Sequence, residues 1–108
     1  MGWELLVFLL ALAAVSVGCL LPAGWLPPLP NDKLLHFLAF AGLTILAAPL
    51  APTWEQLQYW LLGLMAGGWI IEVLQKLVPG RNFSWRDLAA NVAGIGAATG
   101  VILLLRAI

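Results

Sequence analysis

Four long apolar stretches follow one another along the chain, each stopping at a short cluster of prolines, glycines or polar residues. A helix needs ~20 apolar residues to cross the hydrocarbon core of a bilayer, and these stretches have that length. They predict spans at 3–21, 33–48, 55–78 and 85–105. The first runs uninterrupted by charge from Glu4 into Pro22, the first of a proline-rich segment that ends at Pro30. Proline lacks the N–H that would continue a helix and its ring clashes with the preceding turn. Asn31 and Asp32 then offer an N-cap to the second span, which Pro49 and Pro52 close. Thr53 or a neighbour opens the third. Pro79-Gly80-Arg81 interrupts the pattern before the fourth, where Ser84 followed by Asp87 resembles an acidic form of the capping box.

Composition supports a lipid-embedded chain. Of 108 residues 63% are hydrophobic and 9% charged, and mean hydropathy is +1.01. A soluble domain carries roughly a quarter charged residues. The expected fold class is therefore an all-α membrane protein, a single domain over 1–108 built as a bundle of four transmembrane helices with short connections. Zero net charge argues neither for nor against a nucleic-acid partner, but with no basic stripe and no free soluble surface none is expected. Cys19 stands alone, so no disulfide framework is expected. Ser16-Val17-Gly18-Cys19 has the outline of a lipoprotein cleavage box, but no Lys or Arg precedes the apolar run, which reads as a spanning helix. Trp3, Trp25, Trp54 and Trp85 fall at span ends, where indole rings favour the interface.

Small residues at four-residue spacing, Gly63 and Gly67 in the third span and Ala90, Gly94 and Ala98 in the fourth, predict close helix approach. The glycines of 94–100 lack the strand that a nucleotide-binding fingerprint requires.

The ionisable residues are unevenly placed. Of the five basic and five acidic residues, only Glu4, Glu55 and Arg106 lie on the side of the two termini. Asp32, Lys33, Glu72, Lys76, Arg81, Arg86 and Asp87 gather at the other, with His36, Gln75 and Asn91. Asp32 and His36 are four apart, as are Asp87 and Asn91, while Glu72 and Gln75 are three apart, so each pair shares a helix face. Ionisable groups at membrane depth are costly unless paired or hydrated and mark functional cavities. With the third span continuing to 78, Glu72 is expected roughly 10 Å from that helix end, and Lys76 is expected to pair with it one turn away. Lys33 and Arg86 also fit interfacial anchors, and Gln75 and Asn91 fit interhelical hydrogen-bond partners.

Asp32-Lys33-Leu34-Leu35-His36-Phe37, Glu72-Val73-Leu74-Gln75, Pro79-Gly80-Arg81, Ser84 and Asp87 through Asn91 to Gly94 together resemble the VanZ-like family. The resemblance spans about Asn31 to Gly100 and leaves only the first helix without a motif. It implies a small multi-pass protein of the bacterial cytoplasmic membrane, related to a protein of teicoplanin resistance, with a shared polar site.

Two readings of that site stand. In the first it binds or processes a lipid-linked anionic headgroup, such as a polyprenyl phosphate or phospholipid. His36, Glu72 and Asp87 are then the candidate catalytic groups, and Asp32, Lys33, Gln75, Arg81, Ser84 and Asn91 bind the ligand. In the second the chain is a non-enzymatic scaffold or partner-binding module and the cluster holds the bundle together. His36, Glu72 and Asp87 are suitable ligand types, but no two share a ligand spacing within one helix, so neither a metal nor another cofactor is expected. A transport path through four short helices requires a homo-oligomer. By the positive-inside rule the polar side is cytoplasmic, a bias that shrinks if Lys33 and Arg81 serve the site.

Overall fold

A computed structural model describes residues 2–25 and 32–108. The protein is an all-α bundle of four helices: α1 (Gly2–Leu20), α2 (Asp32–Ala47), α3 (Trp54–Gln75) and α4 (Trp85–Ala107). Single 3₁₀ turns follow α1 at Ala23–Trp25 and α2 at Ala48–Leu50. All four helices, α2 with its 3₁₀ extension, are long and apolar enough to cross a membrane. Leu5, Leu6, Leu10, Leu62, Ile70 and Leu104 are among many large apolar side chains left on the outside, which suits a surface that meets lipid.

Helix ends follow local chemistry. Thr53 caps α3 through a full capping box: its hydroxyl accepts from Gln56 N–H at 3.1 Å, and the Gln56 side chain accepts from Thr53 N–H at 3.4 Å. The third helix stops at Gln75 rather than at 78. Lys76, Leu77 and Val78 bond three residues back in a tightening turn, and Gly80 then takes the left-handed conformation (φ 77°) that reverses the chain. Ser84 caps α4, its Oγ accepting from Asp87 N–H at 3.1 Å. The other expected N-cap, Asn31, lies outside the described residues. Trp3, Trp25, Trp54 and Trp85 are exposed near the helix ends, as interfacial rings should be.

The two small-residue stripes play different parts, and only the fourth helix shows the close approach expected of them. Gly94 of α4 packs against the backbone of α2, where any Cβ would collide with the Phe37 carbonyl oxygen. Close approach thus joins α2 to α4. Gly63 and Gly67 face open space and line an apolar groove of about 390 Å³ beside Phe8, Phe40 and Trp60. Phe40, Leu43, Leu64, Ile71 and Ile95 form the core. Helix α1 lies at the edge; Phe8 is its one buried residue, meeting Trp60 edge to face at 5.1 Å. On the side of the termini, Arg106 donates to the carbonyls of Ala48 (3.0 Å) and Ala51 (2.7 Å), the first of which also accepts the Ala51 N–H at 3.1 Å.

Candidate functional site

Four helix ends meet at the polar side: the C-termini of α1 and α3 and the N-termini of α2 and α4. Among the described residues the buried polar side chains are His36, Thr44, Glu72, Gln75, Asp87 and Asn91. Thr44 bonds back to the Phe40 carbonyl within its own helix at 2.8 Å. The other five belong to the polar side and divide into two groups with different work.

The first group is an ion-pair cluster between α2 and α4. Asp32 and Lys33 stand at the start of α2, with His36 one turn further in; Asp87 and Asn91 project from successive turns of α4. His36 is held through Nδ1, 3.0 Å from Asn91 Oδ1. Its Nε2 faces two carboxylates, Asp87 Oδ2 at 3.4 Å and Asp32 Oδ1 at 3.7 Å. Lys33 Nζ takes the other oxygen of each, Asp87 Oδ1 at 2.6 Å and Asp32 Oδ2 at 3.2 Å. The lysine therefore clips the outer oxygens together while the inner pair converges on the imidazole. His36 and Asp87 are buried, whereas Lys33 and Asp32 are partly exposed.

The second group ties helix ends. Glu72 Oε1 accepts Ser84 N–H at 3.2 Å, so α3 supplies the reciprocal half of the α4 capping box. Asp87, the residue placed by sequence to close that box, turns its carboxylate to Lys33 and His36 instead. Gln75 Nε2 donates to the Cys19 carbonyl at 2.8 Å. Arg81 donates from Nε to the Leu21 carbonyl (3.0 Å) and from a terminal nitrogen to Gly18 (3.2 Å). These are the last carbonyls of α1, orphaned because Pro22 cannot extend the helix.

Three expectations are corrected here. Glu72 is one turn from the end of α3, since the helix stops at Gln75. It is fully buried and bonded to Ser84, and Lys76 lies instead over the Phe83 ring, 5.7 Å from its centroid. Helix α1 is more than an anchor, because it delivers the carbonyls that Gln75 and Arg81 bind. Backbone acceptors have no side-chain signature; the one clue in the sequence is Pro22 after an apolar helix with no capping glycine.

Apart from Asp87 Oδ1, which faces the Lys33 ammonium at 2.6 Å, two buried side-chain atoms lack a hydrogen-bond partner among the described residues, Glu72 Oε2 and Asn91 Nδ2. Asn91 Nδ2 points toward Gly68, where a Cβ would lie 3.3 Å away. Gly68 and Glu72 share a face of α3, four residues apart. The amide's donor end thus faces Gly68 of α3 and its oxygen faces His36.

A pocket of about 240 Å³ opens between α1 and α2. Gly18, Leu35 and Ala39 are among its apolar lining, and Asp32, His36 and Arg81 supply its polar part. One polar cluster and one apolar wall therefore share a single cleft at the membrane face.

No family model matches the chain, and neither a curated protein nor a solved structure matches it.

Proposed function

We propose that the pocket between α1 and α2 binds an amphiphile with a phosphate-bearing headgroup, such as a polyprenyl phosphate or a phospholipid. The observation that carries this reading is the pocket's composition: Gly18, Leu35 and Ala39 suit a hydrocarbon chain, while Asp32, His36 and Arg81 meet its polar head. Lys33, partly exposed and paired with the pocket-lining Asp32, adds a second cation nearby, and a guanidinium with donors left over after capping α1 can hold phosphate oxygens. His36, gripped through Nδ1 by Asn91, is the group placed to move a proton at the headgroup. The resemblance of these motifs to the VanZ-like family is part of the same proposal, and so is a role in the bacterial cell envelope or in glycopeptide resistance.

A structural role for the tying residues is favoured by a separate observation. Gln75 and Arg81 bond to backbone carbonyls of α1, and Glu72 bonds to the first amide of α4. These three support assembly of the bundle, and Asp32, Lys33, His36, Asp87 and Asn91, with the spare donors of Arg81, are left to serve a ligand.

Native mass spectrometry of the purified protein tests the reading. Gly18 lines the pocket and a Cβ added there meets nothing within 4 Å, so Gly18→Leu is the substitution chosen to occupy it, with circular dichroism confirming the helical fold. The wild type is expected to retain a phosphate-bearing lipid that Gly18→Leu and Lys33→Ala lose. Equal retention by all three, or none by the wild type, overturns it.

A further inference from the structure

The inner carboxylate oxygens and the imidazole of the ion-pair cluster make a triangle that Lys33 does not fill. One atom each from Asp32, His36 and Asp87 lies within 4.8 Å of the other two. The His36 Nε2 separations of 3.4 and 3.7 Å match the edge of a tetrahedron whose ligands stand about 2.1 Å from a central ion, which is about 3.4 Å. The orientation of the ring points the same way: Nδ1 lies 3.0 Å from Asn91 Oδ1, so Nε2 is the buried nitrogen that faces the two carboxylate oxygens. An imidazole fixed through its second nitrogen by a carbonyl is also how metal-bound histidines are held.

We propose that Asp32, His36 and Asp87 form a binding site for a divalent transition ion of the Zn²⁺ or Mn²⁺ kind, with Asn91 orienting the imidazole. One nitrogen and two carboxylate oxygens suit these ions better than Mg²⁺, which favours oxygen ligands and keeps much of its water. The third ligand-type carboxylate at this side, Glu72, is engaged with Ser84 and stays outside the set.

The inference deepens the headgroup reading and rests on it for its purpose; with Nδ1 on Asn91 and Nε2 on an ion, His36 would serve as a ligand in place of moving a proton. Two carboxylates against one ammonium leave the cluster negative, an unfavourable partner for phosphate. A divalent ion reverses that sign and leaves coordination positions open for phosphate oxygens beside Arg81, which lines the same pocket as Asp32 and His36.

The test separates ion from lipid. Detergent-purified protein, stripped with chelator and dialysed, is titrated with Zn²⁺, Mn²⁺ and Mg²⁺ by calorimetry, with metal content measured after gel filtration. One Zn²⁺ or Mn²⁺ per chain is expected, with an X-ray absorption signature of a single imidazole. Asp32→Asn, at a partly exposed first-turn position that leaves the core intact, should weaken binding at least tenfold, and Asn91→Leu by about 10- to 100-fold. No stoichiometric ion in folded protein, or undiminished binding in Asp32→Asn, overturns the site. Nanodiscs containing a polyprenyl monophosphate form the second arm. Loss of the retained lipid on chelation supports the coupling of ion to headgroup. Retention without an ion overturns the coupling and leaves the headgroup reading standing, whereas a bound ion with no lipid retained under any condition overturns the headgroup reading alone.

Discussion

Glu72 on α3 accepts the backbone N–H of Ser84, the residue that caps α4, at 3.2 Å. A buried carboxylate thereby finishes the N-terminus of a neighbouring helix and fixes where α4 begins relative to α3. An acceptor oxygen at this position is what the amide requires. Glu72→Gln keeps one, whereas Glu72→Ala strands a buried donor at a cost of ~1–3 kcal/mol in addition to the cavity. In detergent, Glu72→Gln should melt within a few degrees of wild type and Glu72→Ala well below it. Equal losses for the two would show that the charge, not the acceptor, matters.

The close approach of α2 and α4 depends on Gly94. No side chain fits between it and the Phe37 carbonyl, so Gly94→Ala must push two backbones apart, an overpacking loss of ~1–3 kcal/mol. Because His36 and Asn91 lie on these same two helices, their hydrogen bond should weaken with the displacement. The control is Gly96→Ala, which meets open space and should leave the melting temperature unchanged. Tryptophan fluorescence during thermal unfolding reads both variants.

Arg81→Ala should release the end of α1. The guanidinium makes two bonds there, and hydrogen bonds to charged groups contribute ~1.5–3 kcal/mol. Amide exchange at Leu20 and Leu21 should accelerate by roughly tenfold or more, while α4 exchanges at the wild-type rate. Arg81→Lys can satisfy one carbonyl at a time and should fall between. If α1 and α4 loosened equally, Arg81 would be supporting the bundle at large.

On the opposite side Arg106 bonds to the carbonyls of Ala48 and Ala51. Arg106→Gln should destabilise the bundle modestly, by ~1 kcal/mol for each hydrogen bond not replaced, without altering lipid or ion binding at the polar side. A change in either affinity would mean that the two faces are coupled.

Much of this architecture was legible in the chain. Prolines at 22, 49 and 79 announce helix breaks, Thr53 and Ser84 announce helix starts, and the crowding of charge at one side announces the cluster. Rotation about each helix axis was not legible. In water a polar stripe shows which face points outward, but here the outside is lipid and Leu or Ala serves on either face. Hence Gly63 and Gly94, alike in sequence, ended with unlike roles, one lining a groove and the other packed against backbone. Asp87 illustrates a second limit. Its spacing from Ser84 fits a capping box, yet Lys33 and His36, more than fifty residues earlier in the chain, draw its carboxylate away. Arg81 illustrates a third, because its partners are carbonyls, which every residue possesses.

The carbonyls at the end of α1 also set an order of assembly. Gln75 and Arg81 follow the groups they bind by 56 to 63 residues. At about 5–20 residues per second, a ribosome makes those carbonyls several seconds before their donors exist. Water at the interface must serve them in the interval. Helix α1 is thus secured only after the third connection has been synthesised. A nascent chain arrested before Arg81 should leave α1 open to proteolysis at its inner end, a vulnerability that completion of the chain removes.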